Sequence, residues 1–286
     1  MNPTANLLPD GKRLHLQHGP IDLIIGADGD RDLAFAAARR RFETILSELV
    51  TELPLLQAQL LPDGCLPSGT TAKRMDLALR PYSFENFVTR MAAVAGSVAD
   101  EVLEAMCEAA CLERAFVNNG GDIALHLTQG TQFTMTMAHH DGHDLGRIEV
   151  KDTDPIRGIA TSGRHGRSLS LGIADSVTVL AENAAQADAA ATLVANHVNL
   201  PNHPSVQRLP ANDIVDASDL GNISAVVGCA ALSRPDVKTA LDAGATFAQT
   251  CLQRGLLVGA SLQLQDQNRA IQLHNFQNIQ RMPEHA

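Results

Sequence analysis

The chain has 286 residues, 45% of them hydrophobic and 19% charged, the balance of a globular protein long enough to bury one sizeable core, and we read residues 1–286 as a single domain. No apolar run approaches the roughly 20 residues that span a bilayer, so a transmembrane protein is excluded. A net charge of −10 with a pI of about 5.5 opposes binding to nucleic acid, and one Tyr with no Trp leaves few platforms for stacking bases.

The N-terminus, Met1 to Asp10, has no basic segment followed by an apolar core, so we expect no export signal and a cytoplasmic location. Residues 13–17 and 21–26 alternate as two strands joined by a Gly-Pro turn, an edge hairpin. From Asp32 the spacing of Leu33, Ala36, Ala37, Phe42, Ile45, Leu46 and Leu49 predicts an amphipathic helix to about Glu52, with Arg39, Arg40 and Arg41 on a solvated face. Residues 53–72 carry three prolines and read as an irregular connection.

A helix over 91–112 buries Met91, Val94, Val98, Val102 and Met106 and turns Glu101, Glu104 and Glu108 outward. Five cysteines without a Cys-x-x-Cys pair make no disulfide framework, and Cys107 with Cys111 on this helix reads as buried filler. Strands at 114–118 and 122–127 flank Gly120 and Gly121, where paired glycines allow a positive-φ bend or a close ligand approach. Asp122 either accepts from a sugar or flavin group or caps the turn. Strands at 132–137 and 145–150 enclose His139, His140, Asp141, His143 and Asp144, a zinc site or a hairpin tip with surface histidines.

Ile156 to Ala160 leads into Thr161, Ser162 and Gly163, whose hydroxyls and backbone N–H groups are the parts of a phosphate cradle or of an ordinary turn. Arg164 and Arg167 follow in the same loop and suit a diphosphate. Ser176 to Leu180 is a β-branched strand, and Asn183 with Gln186 three positions on starts a helix. On that helix Asp188 and Thr192 share one face, a hard-oxygen pair suited to Mg²⁺ beside phosphate oxygens, or a solvated face. Its many alanines let backbone and ligand approach closely. Beyond it, 200–220 reads as loop, Pro235 to Arg254 as a helix, 256–265 and 270–275 as strands about a turn at 266–269, and 277–286 as a frayed tail.

In order, Met91 to Asp100, Val117-Asn-Asn-Gly-Gly-Asp-Ile123, Ala160-Thr-Ser-Gly163, Ser176 to Val179 and Ala187 to Thr192 resemble the ApbE-like superfamily, best known for FAD:protein FMN transferases. The match covers roughly residues 85 to 195, and the rest resembles an uncharacterised, signal-less branch. The resemblance implies an α+β fold with duplicated, T-fold-like antiparallel sheets and packed helices. It implies a flavin (FAD or FMN) or related dinucleotide at Gly120, Gly121, Asp122, Thr161, Ser162, Gly163 and Arg164, and Mg²⁺ at Asp188, Thr192 and the backbone carbonyl of Val94.

Two departures bear on chemistry. Where the transferases have Lys-Gly, this chain has Ala95 and Gly96, so the lysine charge is lost while the carbonyl position remains. Where they carry a His-x-x-Asp-Pro segment, Arg164 to Gly172 runs almost directly to Asp175, which leaves His165 as a nearby catalytic candidate and no aligned one. Two functions follow: a Mg-dependent FMN transferase-like or FAD pyrophosphatase-like enzyme, or a non-catalytic accessory protein in a cofactor, sulfur or one-carbon pathway. The expected partner is a small nucleotide or flavin, with no nucleic acid and no membrane, and with homo-oligomerisation left open.

Overall fold

Alternating apolar residues and two-residue turns organise the N-terminal part of the chain into strands before any helix appears. The computed structural model describes residues 2–138 and 144–277. Its elements are β1 (Thr4–Leu7), β2 (Arg13–His18), β3 (Ile21–Gly29), α1 (Arg31–Thr51), α2 (Leu53–Gln57), α3 (Thr70–Leu79), α4 (Val94–Ala109), β4 (Leu112–Asn119), β5 (Asp122–Leu127), β6 (Gln132–Ala138) and β7 (Asp144–Lys151). There follow β8 (Gly158–Ser162), β9 (Ser176–Ala181), α5 (Ala184–His197), β10 (Val206–Pro210), α6 (Ala211–Ile214), β11 (Ser224–Cys229), α7 (Arg234–Gln253), β12 (Gly259–Leu264), β13 (Gln267–Ile271) and β14 (Phe276–Gln277). This is an α+β chain with antiparallel strand pairing.

The chain divides into two compact units. The first comprises Met1–Gln132, Lys151–Ala160 and Ala181–Ala189, and the second Phe133–Val150, Thr161–Leu180 and Ala190–Ala286. In the first, β1 to β5 pair in sequence as an antiparallel meander, and β5 then pairs with the start of β8. The predicted hairpin is β2 and β3, but β1 pairs outside β2, so the hairpin is not the edge. The inward side chains Leu14, Leu16, Leu23 and Ile25 meet Phe42, Ile45, Val98, Val102 and Met106 from α1 and α4 in one core.

The two long helices here depart from simple amphipathicity in their charges. Glu101 on α4, expected to face solvent, is 6% exposed, because Arg41, Arg74 and Thr70 all converge on its carboxylate. Arg41 is correspondingly drawn out of the expected solvated face and also forks onto Glu48, while Leu33, expected inward, is 57% exposed. Desolvation resists the charge on Glu101, but its hydrogen bonds from Thr70, Arg74 and Arg41 prevail and hold its carboxyl below the usual glutamate range.

Residues 53–72, read as irregular, contain α2 and the first residues of α3. The connection between these helices is held by a buried ion group: Asp76 pairs with both Arg80 and Arg90. Arg90 donates to the carbonyls of Leu55 and Cys65, and Arg80 to that of Pro62. Two guanidinium groups thus satisfy backbone carbonyls of this segment.

In the second unit β9, β12 and β13 form one antiparallel set, β10 pairs with β11, and β7 lies between β6 and β14. The 200–220 segment read as loop therefore holds β10 and α6, and the closing turn lies at Gln265 and Asp266 rather than 266–269. Gln265 takes the positive φ of 51° that this tight reversal needs. The histidine cluster at 139–143 and the tail from 278 lie outside the described residues. Among the described residues no helix is long and apolar enough to cross a membrane.

Candidate functional site

In the first unit the hairpin of β4 and β5 turns through Gly120 and Gly121, with Asn119 paired to Asp122 across it. Both glycines have positive φ, 66° and 114°, the primed geometry that a two-residue hairpin requires. An added Cβ on Gly121 would meet nothing within 4 Å, so the bend rather than a close neighbour demands this glycine. The buried Asn119 reaches from the hairpin to the start of α4, where its Nδ2 donates to the carbonyl of Ala95 at 3.1 Å.

At that same start the backbone N–H of Gly96 donates to Asp188 Oδ2 at 3.0 Å, from the second turn of α5. Helix N-termini present unpaired N–H groups, and Asp188 uses them. Asp188 is half-buried as a residue, and desolvation of its carboxyl group together with the nearby negative charge of Asp122 pushes its pKa well above the ordinary value, against the bonds from Gly96 and Ala95. Val94 is the first residue of α4. Its carbonyl can accept the next turn's N–H and still offer a second lone pair.

One turn along α4, Asp100 accepts the N–H groups of Ala184 and Ala185 at 3.0 and 2.8 Å and so caps α5 with a bidentate carboxylate. Burial raises Asp100 to about 6 despite those two bonds. Sequence reading missed the roles of Asn119 and Asp100; the spacing of Gly96 and Asp100 by four on one helix face was the available signal. Gly96 itself is fixed by backbone packing, since an added Cβ would lie 2.2 Å from the carbonyl oxygen of Ala184. The alanines at 184, 185, 187 and 189 are all buried core residues, and Asn183 Oδ1 caps Gln186 N–H as its position predicts. Thr192 stands one turn beyond Asp188 on α5.

In the second unit Thr161 and Ser162 end strand β8, and the Thr161 hydroxyl bonds that of Thr178 at 2.9 Å. Gly163 passes so close to Asp175 that an added Cβ would be 2.4 Å from its carbonyl oxygen. Arg164 places Nε at 2.8 Å and Nη2 at 2.6 Å from Asp175 Oδ1, and His165 Nε2 lies 3.2 Å from the same oxygen. The other oxygen accepts the N–H of Gln265. Both basic side chains of this turn are thus gathered by one buried carboxylate. Arg167 is exposed in the loop.

A family model described as AbpE bacteria matches residues 5–270. The chain belongs to that family. This bears out the ApbE-like resemblance seen in its motifs. Family relatives by sequence include the UPF0280 protein MK0206 of Methanopyrus kandleri, 34% identical over 179 residues, covering 61% of this chain and 69% of the relative. A UPF0280 protein of Methanothrix thermoacetophila is 36% identical over 159 residues, covering 54% of this chain and 64% of the relative, so this chain spans less than two thirds of that protein. Among solved structures, the ApbE protein of Thermotoga maritima is similar at 14% identity and a TM-score of 0.43, covering 66% of this chain and 87% of the other. The flavinyl transferase ApbE of Pseudomonas stutzeri, in apo form, is similar at 11% identity and a TM-score of 0.38, covering 70% and 87%.

Among the described residues no group of three or more His, Cys, Asp or Glu side chains could hold a metal ion. Mg²⁺ does not require one, because it keeps waters and takes one or two carboxylates beside phosphate oxygens. Asp188, half-enclosed and repelled by Asp122, is such a carboxylate, and a divalent cation would relieve that repulsion. The residues fit the ion.

Proposed function

We propose that the protein binds a flavin or a related dinucleotide with Mg²⁺ held at Asp188, and that the site serves diphosphate chemistry of the FMN transferase or FAD pyrophosphatase kind. The observation that carries this is Asp188 itself, a desolvated carboxylate fixed by the N–H of Gly96 and burdened by the negative charge of Asp122. Bound Mg²⁺ would neutralise charge that develops on diphosphate oxygens. The chain's part is to hold Asp188 rigid through α4 and to set Asp122 beside it through the Gly120 and Gly121 turn. Val94 has a carbonyl lone pair to lend. Membership of the AbpE bacteria family supports the flavin part of the reading.

A second reading, a binding protein without catalysis, has its own observation. Arg164 and His165, the basic groups of the Thr-Ser-Gly loop, are both spent on Asp175, and the chain has Ala95 where the transferases carry lysine. Incubation of the purified protein with FAD and Mg²⁺, followed by chromatography, separates the two. Release of FMN and AMP supports the enzyme; a retained flavin spectrum without turnover supports the binding protein. Absence of both flavin binding and Mg²⁺ binding overturns the proposal.

A further inference from the structure

Among the described residues, one arginine of the second unit has no carboxylate to answer it. Arg208 on β10 is partly buried and donates from Nη1 to the carbonyl of Leu171 at 2.8 Å and from Nη2 to Asn199 Oδ1 at 2.5 Å, both neutral acceptors. Among the described residues the acidic group within its electrostatic reach is the thiol of Cys229. A charged group drawn partly out of water without an opposite charge carries a cost, which a bound anion would offset. In a chain of net charge −10, this local excess of positive charge runs against the global balance.

The neighbourhood strengthens the excess. The half-exposed Cys229 ends β11, whose register sets it opposite Val206, two residues from Arg208. Ser170 accepts the N–H of Val226, which ties β11 to the 164–172 loop. Arg164 of that loop and Asp175 just after it lie within electrostatic reach of the thiol, as Arg208 does. Two guanidinium groups therefore face one carboxylate, and His165, already on Asp175, adds positive charge when protonated. The thiol stays neutral, since burial outweighs both arginines and pushes it up, so it does not supply the counter-charge.

We propose that Arg208 and Cys229 frame a second anion site, with Arg164 held on Asp175 at its border, specific for a phosphate group of a small soluble ligand. A guanidinium group suits tetrahedral oxyanions, which accept several charge-assisted bonds at once. The site is made entirely of second-unit residues and uses neither Asp188 nor a flavin, so it stands or falls apart from the function proposed above.

The test uses the full chain and inorganic phosphate. Alkylation of Cys229 by iodoacetamide is followed by peptide mass spectrometry, which separates it from the exposed Cys65 and Cys111. Phosphate should slow modification of Cys229 and leave Cys65 unaffected, whereas chloride at equal ionic strength should do neither. Arg208→Gln should weaken that protection about tenfold, the loss expected for one charge-assisted bond, and Arg208→Lys should keep part of it. Circular dichroism confirms that each variant is folded, and if Arg208→Gln unfolds, the comparison rests on Arg208→Lys and Cys229→Ser by phosphate calorimetry. Pyrophosphate and ADP run in parallel distinguish free phosphate from phosphate carried on a nucleotide. Equal alkylation of Cys229 with and without all three anions, or protection unchanged in the folded Arg208 variants, overturns the proposal.

Discussion

The backbone N–H of Gly96 donates to the carboxylate of Asp188 at 3.0 Å across 92 residues of sequence. One bond thus joins the first turn of α4 to the second turn of α5. The negative charge of Asp122 bears on the same carboxylate, so three separate stretches of the first unit meet at one acidic group.

Asp188→Asn removes the charge but keeps an acceptor for Gly96. The variant should fold, with a melting temperature in metal-free buffer equal to or a few degrees above wild type, because repulsion from Asp122 is gone. Mg²⁺ titration by calorimetry in the presence of nucleotide should show affinity reduced at least about tenfold. Unchanged Mg²⁺ affinity would remove Asp188 from the metal site.

Gly96→Ala sets two effects against each other. Alanine is favoured over glycine in a helix by about 1 kcal/mol, but its Cβ would sit 2.2 Å from the Ala184 carbonyl oxygen and 2.9 Å from the Ala185 nitrogen, both backbone atoms. Backbone cannot yield as a side chain tip does, so the clash wins by roughly 1–3 kcal/mol net. Urea denaturation checks it, and a variant as stable as wild type would mean that α4 and α5 separate at no cost.

Asp100 predicts a pH dependence. Its folded value of about 6 lies above the ordinary 3.8, so the folded state binds the proton more tightly than the unfolded one. The stabilisation that follows is complete below about pH 4 and is lost as pH rises through 6, on the order of 3 kcal/mol at most. Chemical denaturation at pH 4.5 and 7.5 should show a wild-type difference that shrinks in Asp100→Asn. A difference of the same size in both proteins would assign the dependence to other groups.

Glu101 predicts the opposite slope. Its carboxyl is held below the usual range, so its stabilisation is present above pH 4.5 and lost as pH falls further. Glu101→Ala leaves Arg41 and Arg74 without the carboxylate they share, which should cost about 3 kcal/mol at pH 7. Glu104→Ala, at a half-exposed partner of Arg74 alone, should cost under about 1 kcal/mol. Equal losses in the two variants would show that burial does not distinguish these carboxylates.

Local pattern determined much of this protein by itself. Period-two alternation placed β2, β3, β6 and β9, period 3.6 placed α1 and α4, paired glycines placed the β4–β5 turn, and Asn183 marked the start of α5, because each signal acts over a few residues of chain. Asp188 and Thr192 were legible as neighbours one turn apart on that helix for the same reason. Only the tertiary structure decided which charges are buried. Glu101 looks like any outward helix residue until Arg41, 60 positions away, and Arg74, 27 away, are brought onto it. The 53–69 connection looks shapeless until Arg80 and Arg90 bind its carbonyls around Asp76. Arg164 looks like a free phosphate clamp until Asp175 claims it. Such pairings carry no periodic trace, since a Coulomb partner is chosen by distance in the folded molecule and by how little water lies between.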